Sequence, residues 1–306
     1  MRIGTFLPNL GTLAGPESIV RVAQHAESVG YDCLWVAERV LYPENPQTPY
    51  GGTPDGSLPD FYRTAYAPLM ALAWAAAHTR RIRIGTSVLN TPMHQPVQLA
   101  KELASLDALS GGRLNVGLGQ GWSKDEYEAT GAVTTQLGAR ADEFIGVLKA
   151  MWGPDPSSYQ GQFFTLPASV VNPKPVQHPH PPIYLAAFSP SALARAGRLT
   201  DGWLPTGIPL TGIAQMAQGL RQAASEAGRD PASLEIIVLG HVGLTDSPQG
   251  EGRPNFFGSV DEIRADMEEA RQLGASEVIL SPTGAPLADE SIDGLLRFLD
   301  QMYQTL

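Results

Sequence analysis

The chain has 306 residues, of which 43% are hydrophobic and 17% are charged, and its net charge is −10 at pH 7. This acidic balance argues against a surface for nucleic acid or an anionic membrane, because such a surface needs clustered Lys and Arg. The single cysteine excludes an internal disulfide, and neither a signal peptide nor an apolar run long enough to cross a bilayer is visible, so we expect a cytoplasmic protein.

In the first half of the chain, each apolar strand-like run is followed by a helical pattern. Apolar residues recur in the helices at a spacing of three and four, with Gly30 as one stop signal and Pro96 at one first turn. The pairs are RIGTFLP before Pro16–Val29, CLWVAE before Ala67–His78, IRIGTSVL before Pro96–Leu109, and LNVGLG before a helical region ending near Trp152.

The second half repeats this order, and Ser259 with Glu262 three residues later is the pattern of a capping box. Eight strand–helix units with nearly continuous apolar strands predict an α/β fold, a (β/α)8 TIM barrel in one domain over residues 1–306. An open doubly wound sheet would more often show a domain break. The pairs are PIYLAAF before Pro190–Leu199, DGWLPTG before Thr211–Ala227, LEIIVLGHV before the helix opened by Ser259, and EVILSP before Ile292–Tyr303.

Three inserted segments interrupt the pattern after strands two, four and seven: Arg39–Tyr66, Gly153–Pro182 and Asp246–Gly258. Loops that follow barrel strands lie on the face where barrel enzymes have their active sites. Arg39–Tyr66 is therefore either a lid over a site or a tolerated surface insertion. The second segment contains PKPVQHPHPP, which is either a stiff strap across the barrel or a polyproline II peptide ligand.

The fourth strand ends in a glycine cluster, Gly117-x-Gly119-x-Gly121. A dinucleotide-binding fingerprint needs its third glycine one position later and an acidic residue at the end of the next strand. Neither is present, which argues against a Rossmann site. At the end of a barrel strand, the same glycines would let a flat ligand approach the backbone closely.

The block from Gly85 to Gly131 resembles the core signature of the luciferase-like monooxygenase superfamily, and is most similar to the branch that uses the deazaflavin coenzyme F420. The resemblance continues through RADEFIGVLKAMW, NPKPVQHPHPPIYL and ARAGRLTDGWLP, and covers roughly Met1 to Gly207. It implies an (α/β)8 barrel that transfers hydride between reduced F420 and a small organic substrate. Two alternatives stay open: an FMN-dependent monooxygenase that uses O2 and a partner flavin reductase, and a non-catalytic flavin-binding barrel.

The resemblance also implies site residues. A cis peptide at Ser87–Val88 would press against the back of the tricyclic ring. The segment that lines the ring and ribityl chain matches Gly119, Gln120, Gly121, Trp122 and Ser123, and the segment that cradles the phosphate matches Ala186, Ala187, Phe188 and Ser189.

Three departures from the family pattern concern this site. Ala186-Ala187 replaces the Gly-Gly of many relatives, which restricts positive φ and crowds an anion. Glu38-Arg39 replaces Asp-His, so proton transfer by a histidine is not implied, and Arg39 would bind an anionic substrate group or the carboxylates of the cofactor. Gln120 replaces a glutamic acid, which argues against a sugar-phosphate dehydrogenase. Glu38, Arg39 and Gln120 are the candidate catalytic residues.

Simpler interpretations stand beside these. Glu38 and Arg39 are adjacent, so in a strand they would face opposite ways, and one of them would form an ion pair on the barrel rim. His94 either reaches the site or caps a loop, and His241, late in strand seven, could also point inward; no metal site is expected. The apolar stretch Ala67–Ala77 is either the interface helix of a homodimer or packs on the barrel wall. The lid aromatics suggest an apolar or aromatic substrate: Tyr42, Tyr50, Phe61 and Tyr62.

Overall fold

The computed structural model describes residues 1–282 and 290–304. Eight strands pair in parallel, each with the next along the chain, and the eighth pairs with the first, so the sheet closes. This confirms the predicted (β/α)8 barrel. The barrel strands are β1 (Arg2–Phe6), β2 (Cys33–Val36), β3 (Arg83–Thr86), β4 (Leu114–Gly119), β5 (Ile183–Leu185), β6 (Gly202–Trp203), β7 (Glu235–His241) and β8 (Glu277–Ser281).

The helices surround the barrel, and those predicted from periodicity agree to within one residue at each end. The helical region before Trp152 is two helices, because Gly131 adopts a left-handed φ of 68° and ends the first of them. No described helix is both long and apolar enough to span a membrane. The helices are α1 (Pro16–Val29), α2 (Pro68–His78), α3 (Pro96–Ser110), α4 (Lys124–Thr130), α5 (Leu137–Trp152), α6 (Pro190–Leu199), α7 (Leu210–Glu226), α8 (Val260–Gln272) and α9 (Ile292–Gln304), with 3-10 turns at Asp60–Arg63, Thr91–Met93 and Pro231–Ser233.

The inserted segments contain structure that their composition did not predict. Within Gly153–Pro182, Ser157–Gln160 pairs with Thr165–Ser169 as an antiparallel hairpin. These strands are short, largely polar and interrupted by Pro167, so they carry no clear apolar alternation. Two-residue strands also occur at Leu89–Asn90, beside β4, and as the parallel pair Gly243–Leu244 and Phe257–Gly258.

The proline segment packs beside α3 and the amino-terminal end of β4. The carboxylate of Asp107, near the end of α3, accepts hydrogen bonds from the backbone amides of Val176 and Gln177 at 2.7 and 3.1 Å. The side-chain amide of Gln177 donates to the carbonyl of Leu114 at 2.6 Å. The segment therefore ties α3 to the start of β4.

The amino-terminal half of the barrel interior is filled by side chains, so the open space of the barrel lies at the carboxyl ends of the strands. Trp35 is fully buried and donates from Nε1 to Glu277 Oε1 at 2.7 Å, while Arg2 Nε donates to Glu277 Oε2 at 3.2 Å. Burial raises the pKa of the Glu277 carboxyl group despite these two donors. Trp203 is also fully buried, and its Nε1 donates to the carbonyl of Ala187.

One face of α2 packs on the barrel wall through residues such as Leu72 and Ala75, whereas Met70 and Trp74 are exposed on the other face. A homodimer through this helix stays a prediction.

The predicted capping box is present at the start of α8, and it anchors the third insertion. Ser259 Oγ accepts from the amide of Glu262, whose carboxylate accepts from the amide of Ser259 at 2.8 Å and from those of Gln249 and Gly250 at 2.9 and 2.8 Å. These donors lower the pKa of Glu262 to about 2.

We expect Glu262→Gln to destabilise the chain at pH 7, because an amide presents only one acceptor oxygen to these backbone donors and opposes the rest with its own N–H groups. The folded pKa lies below the unfolded value, so the stabilisation by Glu262 is present above pH 4.5 and lost as pH falls toward 2. Urea unfolding between pH 7 and pH 3 should therefore show a gap from wild type that narrows with acidification. Exposed Glu268→Gln is the control, and a gap that is constant with pH would contradict the assignment.

Candidate functional site

A cavity of about 570 Å³ opens at the carboxyl ends of the barrel strands. Residues at or just beyond the ends of all eight strands contribute to its wall, as expected for the active-site face of a barrel. The wall contains all but one of the predicted site residues; the exception is Ala187. Eight representative contributors are Phe6, Glu38, Ser87, Gly119, Ala186, Leu204, His241 and Ser281.

The Ser87–Val88 peptide at the end of β3 is cis, as the resemblance implied. The glycines of β4 make room for it. A Cβ on Gly119 would lie 2.5 Å from Val88 Cγ2, and a Cβ on Gly117 would lie 1.9 Å from the carbonyl oxygen of Thr86. The glycines therefore allow the β3 backbone and the Val88 side chain to pack against β4, which is a more specific reason than the close approach of a ligand.

The segment after β4 lines the cavity from Gly119 to Ser123. Gly121 has a left-handed φ of 77°, which turns the chain from the strand toward α4. Ser123 then caps α4 by accepting a hydrogen bond from the amide of Glu126. Within the described residues, the buried side-chain nitrogen of Gln120 has no hydrogen-bond partner, so an acceptor on a ligand would satisfy it.

At the end of β5, Ala186, Phe188 and Ser189 line the cavity, whereas Ala187 is buried behind it. Neither alanine is among the described non-glycine residues with positive φ. The backbone here does not need glycine, so the conformational objection to the Ala-Ala pair does not apply. Ser189 caps α6 at the cavity edge, and a helix amino terminus favours an anionic group such as phosphate.

Arg39 forms a buried ion pair, as the simpler interpretation expected, rather than standing free for an anion. Its Nη1 lies 3.1 Å from Glu126 Oε2, and both side chains are only 4% exposed. The guanidinium carbon lies 5.0 Å from the ring centroids of Tyr62 and Trp122. Burial raises the pKa of Glu126, although the positive charge of Arg39 and the Val40 amide oppose the shift.

Glu126 was missed by sequence reasoning, although it carries a signal. Ser123 followed three residues later by Glu126 is a helix-start pattern directly after the glycine cluster, so it indicates a carboxylate near the end of β4. Its partner is 87 residues away in the chain, and no local pattern shows that pairing.

Glu38 and His94 are brought together at the cavity rim. Glu38 Oε1 lies 2.7 Å from His94 Nε2, and Oε2 accepts from the amide of Asn90 at 2.7 Å. Glu38 and Arg39 both line the cavity because β2 ends at Val36, so the alternation expected of a strand no longer applies. His241 also lines the cavity, with Nε2 3.3 Å from Thr206 Oγ1.

The segment Arg39–Tyr66 covers the cavity, which favours the lid interpretation over a surface insertion. Tyr50 and Tyr62 line the cavity and their hydroxyl oxygens lie 3.0 Å apart. The ring of Tyr50 lies 5.4 Å from that of Trp122. Of the four lid aromatics named from the sequence, Tyr42 and Phe61 are not part of the cavity wall.

Comparison with known proteins gives the family. A family model described as luciferase-like monooxygenase matches residues 1–250. The chain is 35% identical over 219 residues to uncharacterized protein Rv0953c of Mycobacterium tuberculosis, covering 71% of this chain and 77% of that protein. The F420-dependent glucose-6-phosphate dehydrogenase of Amycolatopsis mediterranei is 32% identical over 199 residues, 63% of this chain and 54% of the relative. The FMNH2-dependent dimethylsulfone monooxygenase of Pseudomonas putida is 32% identical over 155 residues, 50% of this chain and 42% of the relative.

The chain belongs to the luciferase-like monooxygenase family, and the resemblance drawn from its sequence is confirmed. It is an enzyme of a family that includes F420-dependent dehydrogenases and FMNH2-dependent monooxygenases. The substrates named for these two relatives, glucose-6-phosphate and dimethylsulfone, are both small organic molecules.

Proposed function

We propose that this chain is an oxidoreductase that holds a tricyclic coenzyme in the central cavity and transfers hydride between reduced F420 and a small organic substrate. The observation that carries the proposal is the wall of the cavity, where Ser87 and Val88 lie beside the segment Gly119–Ser123 at the carboxyl ends of β3 and β4. F420 is placed before FMN because the block Gly85–Gly131 is most similar to the F420-using branch of the family, and an F420-dependent relative is 32% identical over 199 residues.

The residues of the cavity suit such a coenzyme. Val88 and Leu204 offer apolar surface to a flat ring, and the unpartnered amide of Gln120 offers a donor to a ring carbonyl. The start of α6, at Ser189, would hold the phosphate. When bound, the reduced coenzyme supplies the hydride, and the protein orients it and excludes water.

The remaining roles fall to side chains around the rim. Tyr50, Tyr62 and Trp122 cover the cavity and exclude water from it. We assign proton transfer to Glu38 with His94, whose 2.7 Å contact links a carboxylate of the cavity wall to a partly exposed imidazole. Arg39 is bound to Glu126 and lies against the rings of Tyr62 and Trp122, so we assign it the positioning of these side chains.

The proposal is tested by titrating the apo protein with F420 and with FMN, each oxidised and reduced, while ring fluorescence is followed. Binding of F420 in the micromolar range or tighter, with much weaker binding of FMN, is the expected result. Failure of both coenzymes to bind below millimolar concentration would overturn the enzyme assignment.

Gly119→Ala should weaken coenzyme binding by about tenfold or more, equivalent to about 1.4 kcal/mol. The added Cβ would meet Val88 Cγ2 at 2.5 Å. The side chain of Val88 would then have to turn into the space that the ring of the coenzyme needs. Val88 Cγ2 is the end of a side chain, so the fold should survive, which circular dichroism would check. Gly219→Ala on α7 meets no atom within 4 Å and is the matched control. An unchanged dissociation constant for Gly119→Ala would place the ring elsewhere.

An FMN-dependent monooxygenase is the second candidate, favoured by the FMNH2-dependent relative. Preference for reduced FMN in the same titration, with oxygen consumption when a flavin reductase is added, would select it. A non-catalytic barrel is less favoured, because Ala186 and Ala187, which replace the Gly-Gly of many relatives, do not have the positive φ that requires glycine.

A further inference from the structure

The charged side chains of the cavity wall are already paired within the protein. Arg39 is bound to Glu126, and Glu38 is bound to His94 and the amide of Asn90. With neutral histidines, the described lining residues carry two carboxylates and one guanidinium, a formal charge of −1. A phosphate or carboxylate placed beside Arg39 would lose its hydration without gaining an unpaired cation, because the guanidinium is already bound to Glu126.

The ring faces on the lid side are partly occupied by a cation of the protein. The guanidinium of Arg39 lies 5.0 Å from the centroids of both Tyr62 and Trp122. Aromatic faces that bind cationic ligands need to be free for them. Here the faces of Tyr62 and Trp122 are already in contact with Arg39, so they do not form a cage for an external cation. An uncharged ligand therefore fits the wall best.

One hydrogen-bond donor of the Arg39 guanidinium, Nε, lacks a partner. Arg39 Nε is buried and makes no hydrogen bond within the described residues, although Nη1 and Nη2 contact Glu126 and the carbonyl of Leu41. Unsatisfied donors are rare in folded proteins, so this donor, on a residue of the cavity wall, points to an acceptor oxygen supplied by a ligand. A carboxylate at the same place would oppose the carboxylate of Glu126.

We propose that the substrate is an uncharged, flat, largely apolar molecule with a carbonyl-type acceptor oxygen, and that the Arg39–Glu126 pair excludes carboxylates and phosphates from its site. Calling this molecule a substrate rests on the proposed function. Its selective binding depends only on the cavity wall. Tyr50, Tyr62 and Trp122 would contact its apolar surface, and the pair would set its charge preference.

Two probes of nearly equal shape test this preference: 2-acetylnaphthalene, which is an uncharged ketone, and 2-naphthoate, which is an anion at pH 7.5. Equilibrium dialysis should be run on the wild-type protein both with and without its coenzyme. We expect the ketone to bind at least about tenfold more tightly in both states. Equal or tighter binding of naphthoate would overturn the inference.

Variants of the pair test the cause. Glu126→Gln leaves the charge of Arg39 unpaired, so naphthoate should bind at least about tenfold more tightly than to wild type. The double variant Arg39→Met/Glu126→Gln should lose that gain. Glu17→Gln, at the exposed first turn of α1, changes the same formal charge outside the cavity wall and should leave both affinities unchanged. An unchanged naphthoate affinity in folded Glu126→Gln would contradict the role of the pair.

These outcomes separate the two proposals. Ketone preference in a protein that binds neither F420 nor FMN would leave the charge selectivity standing and remove the oxidoreductase assignment. Coenzyme binding together with a preference for naphthoate would support the oxidoreductase assignment and overturn the charge selectivity. Should Glu126→Gln fail to fold, the wild-type comparison of the two probes still decides the question.

Discussion

Replacing Gly117 by alanine should destabilise the chain by more than about 4 kcal/mol, or prevent it from folding. The added Cβ would lie 1.9 Å from the carbonyl oxygen and 3.0 Å from the carbonyl carbon of Thr86, and both are backbone atoms of the neighbouring strand. Thr86 Oγ1 also exchanges hydrogen bonds of 2.9 Å with the carbonyl and amide of Gly117. No side chain can rotate away to relieve this contact, so the barrel must open at β3 and β4.

The measurement is urea unfolding of purified protein at pH 7, with soluble yield recorded for variants that do not fold. Gly219→Ala is again the control, because its site on α7 is open and a helical alanine is favoured by up to about 1 kcal/mol. A Gly117→Ala protein within about 1 kcal/mol of wild type would show that β3 and β4 tolerate separation, contrary to this packing.

The three glycines at the end of β4, Gly117, Gly119 and Gly121, show what the sequence predicts and what it leaves open. Their spacing was enough to reject a dinucleotide fingerprint and to indicate a special backbone at a strand end. Their separate reasons depend on distant atoms: Gly117 faces Thr86, Gly119 faces Val88, and Gly121 turns through a positive φ. The first two neighbours are about thirty residues away, so no local pattern identifies them.

The same distinction holds for the fold and the rim of the site. Apolar periodicity located eight strands and their helices, because barrel strands are buried on both faces. It missed the hairpin at Ser157–Ser169, whose strands are largely exposed. It also placed the end of β2 at Glu38, two residues beyond Val36, where the strand ends. That small error changed the expected orientation of Glu38 and Arg39. Their partners, His94 and Glu126, follow other strands and meet them only when the barrel closes.

Breaking the buried ion pair of Arg39 and Glu126 should produce the second large loss of stability. Arg39→Met leaves the Glu126 carboxylate buried without its cation, and Glu126→Gln leaves the guanidinium buried without its anion. Each should cost about 3–5 kcal/mol, because an unpaired charge remains where both side chains are 4% exposed. The double variant should cost less than either single one, since neither charge is then left uncompensated.

A double-mutant cycle by urea unfolding at pH 7 measures this coupling. Asp261→Asn, which breaks the exposed pair with Arg264, should cost no more than about 1 kcal/mol. Burial already raises the pKa of Glu126, and loss of Arg39 raises it further, so the unpaired carboxylate destabilises the folded state above that pKa and becomes neutral below it. The deficit of Arg39→Met should therefore shrink as pH falls from 7 toward 4.5. Additive single effects, or a deficit of Arg39→Met that is constant with pH, would mean that the pair is solvated and cannot set the charge preference of the cavity.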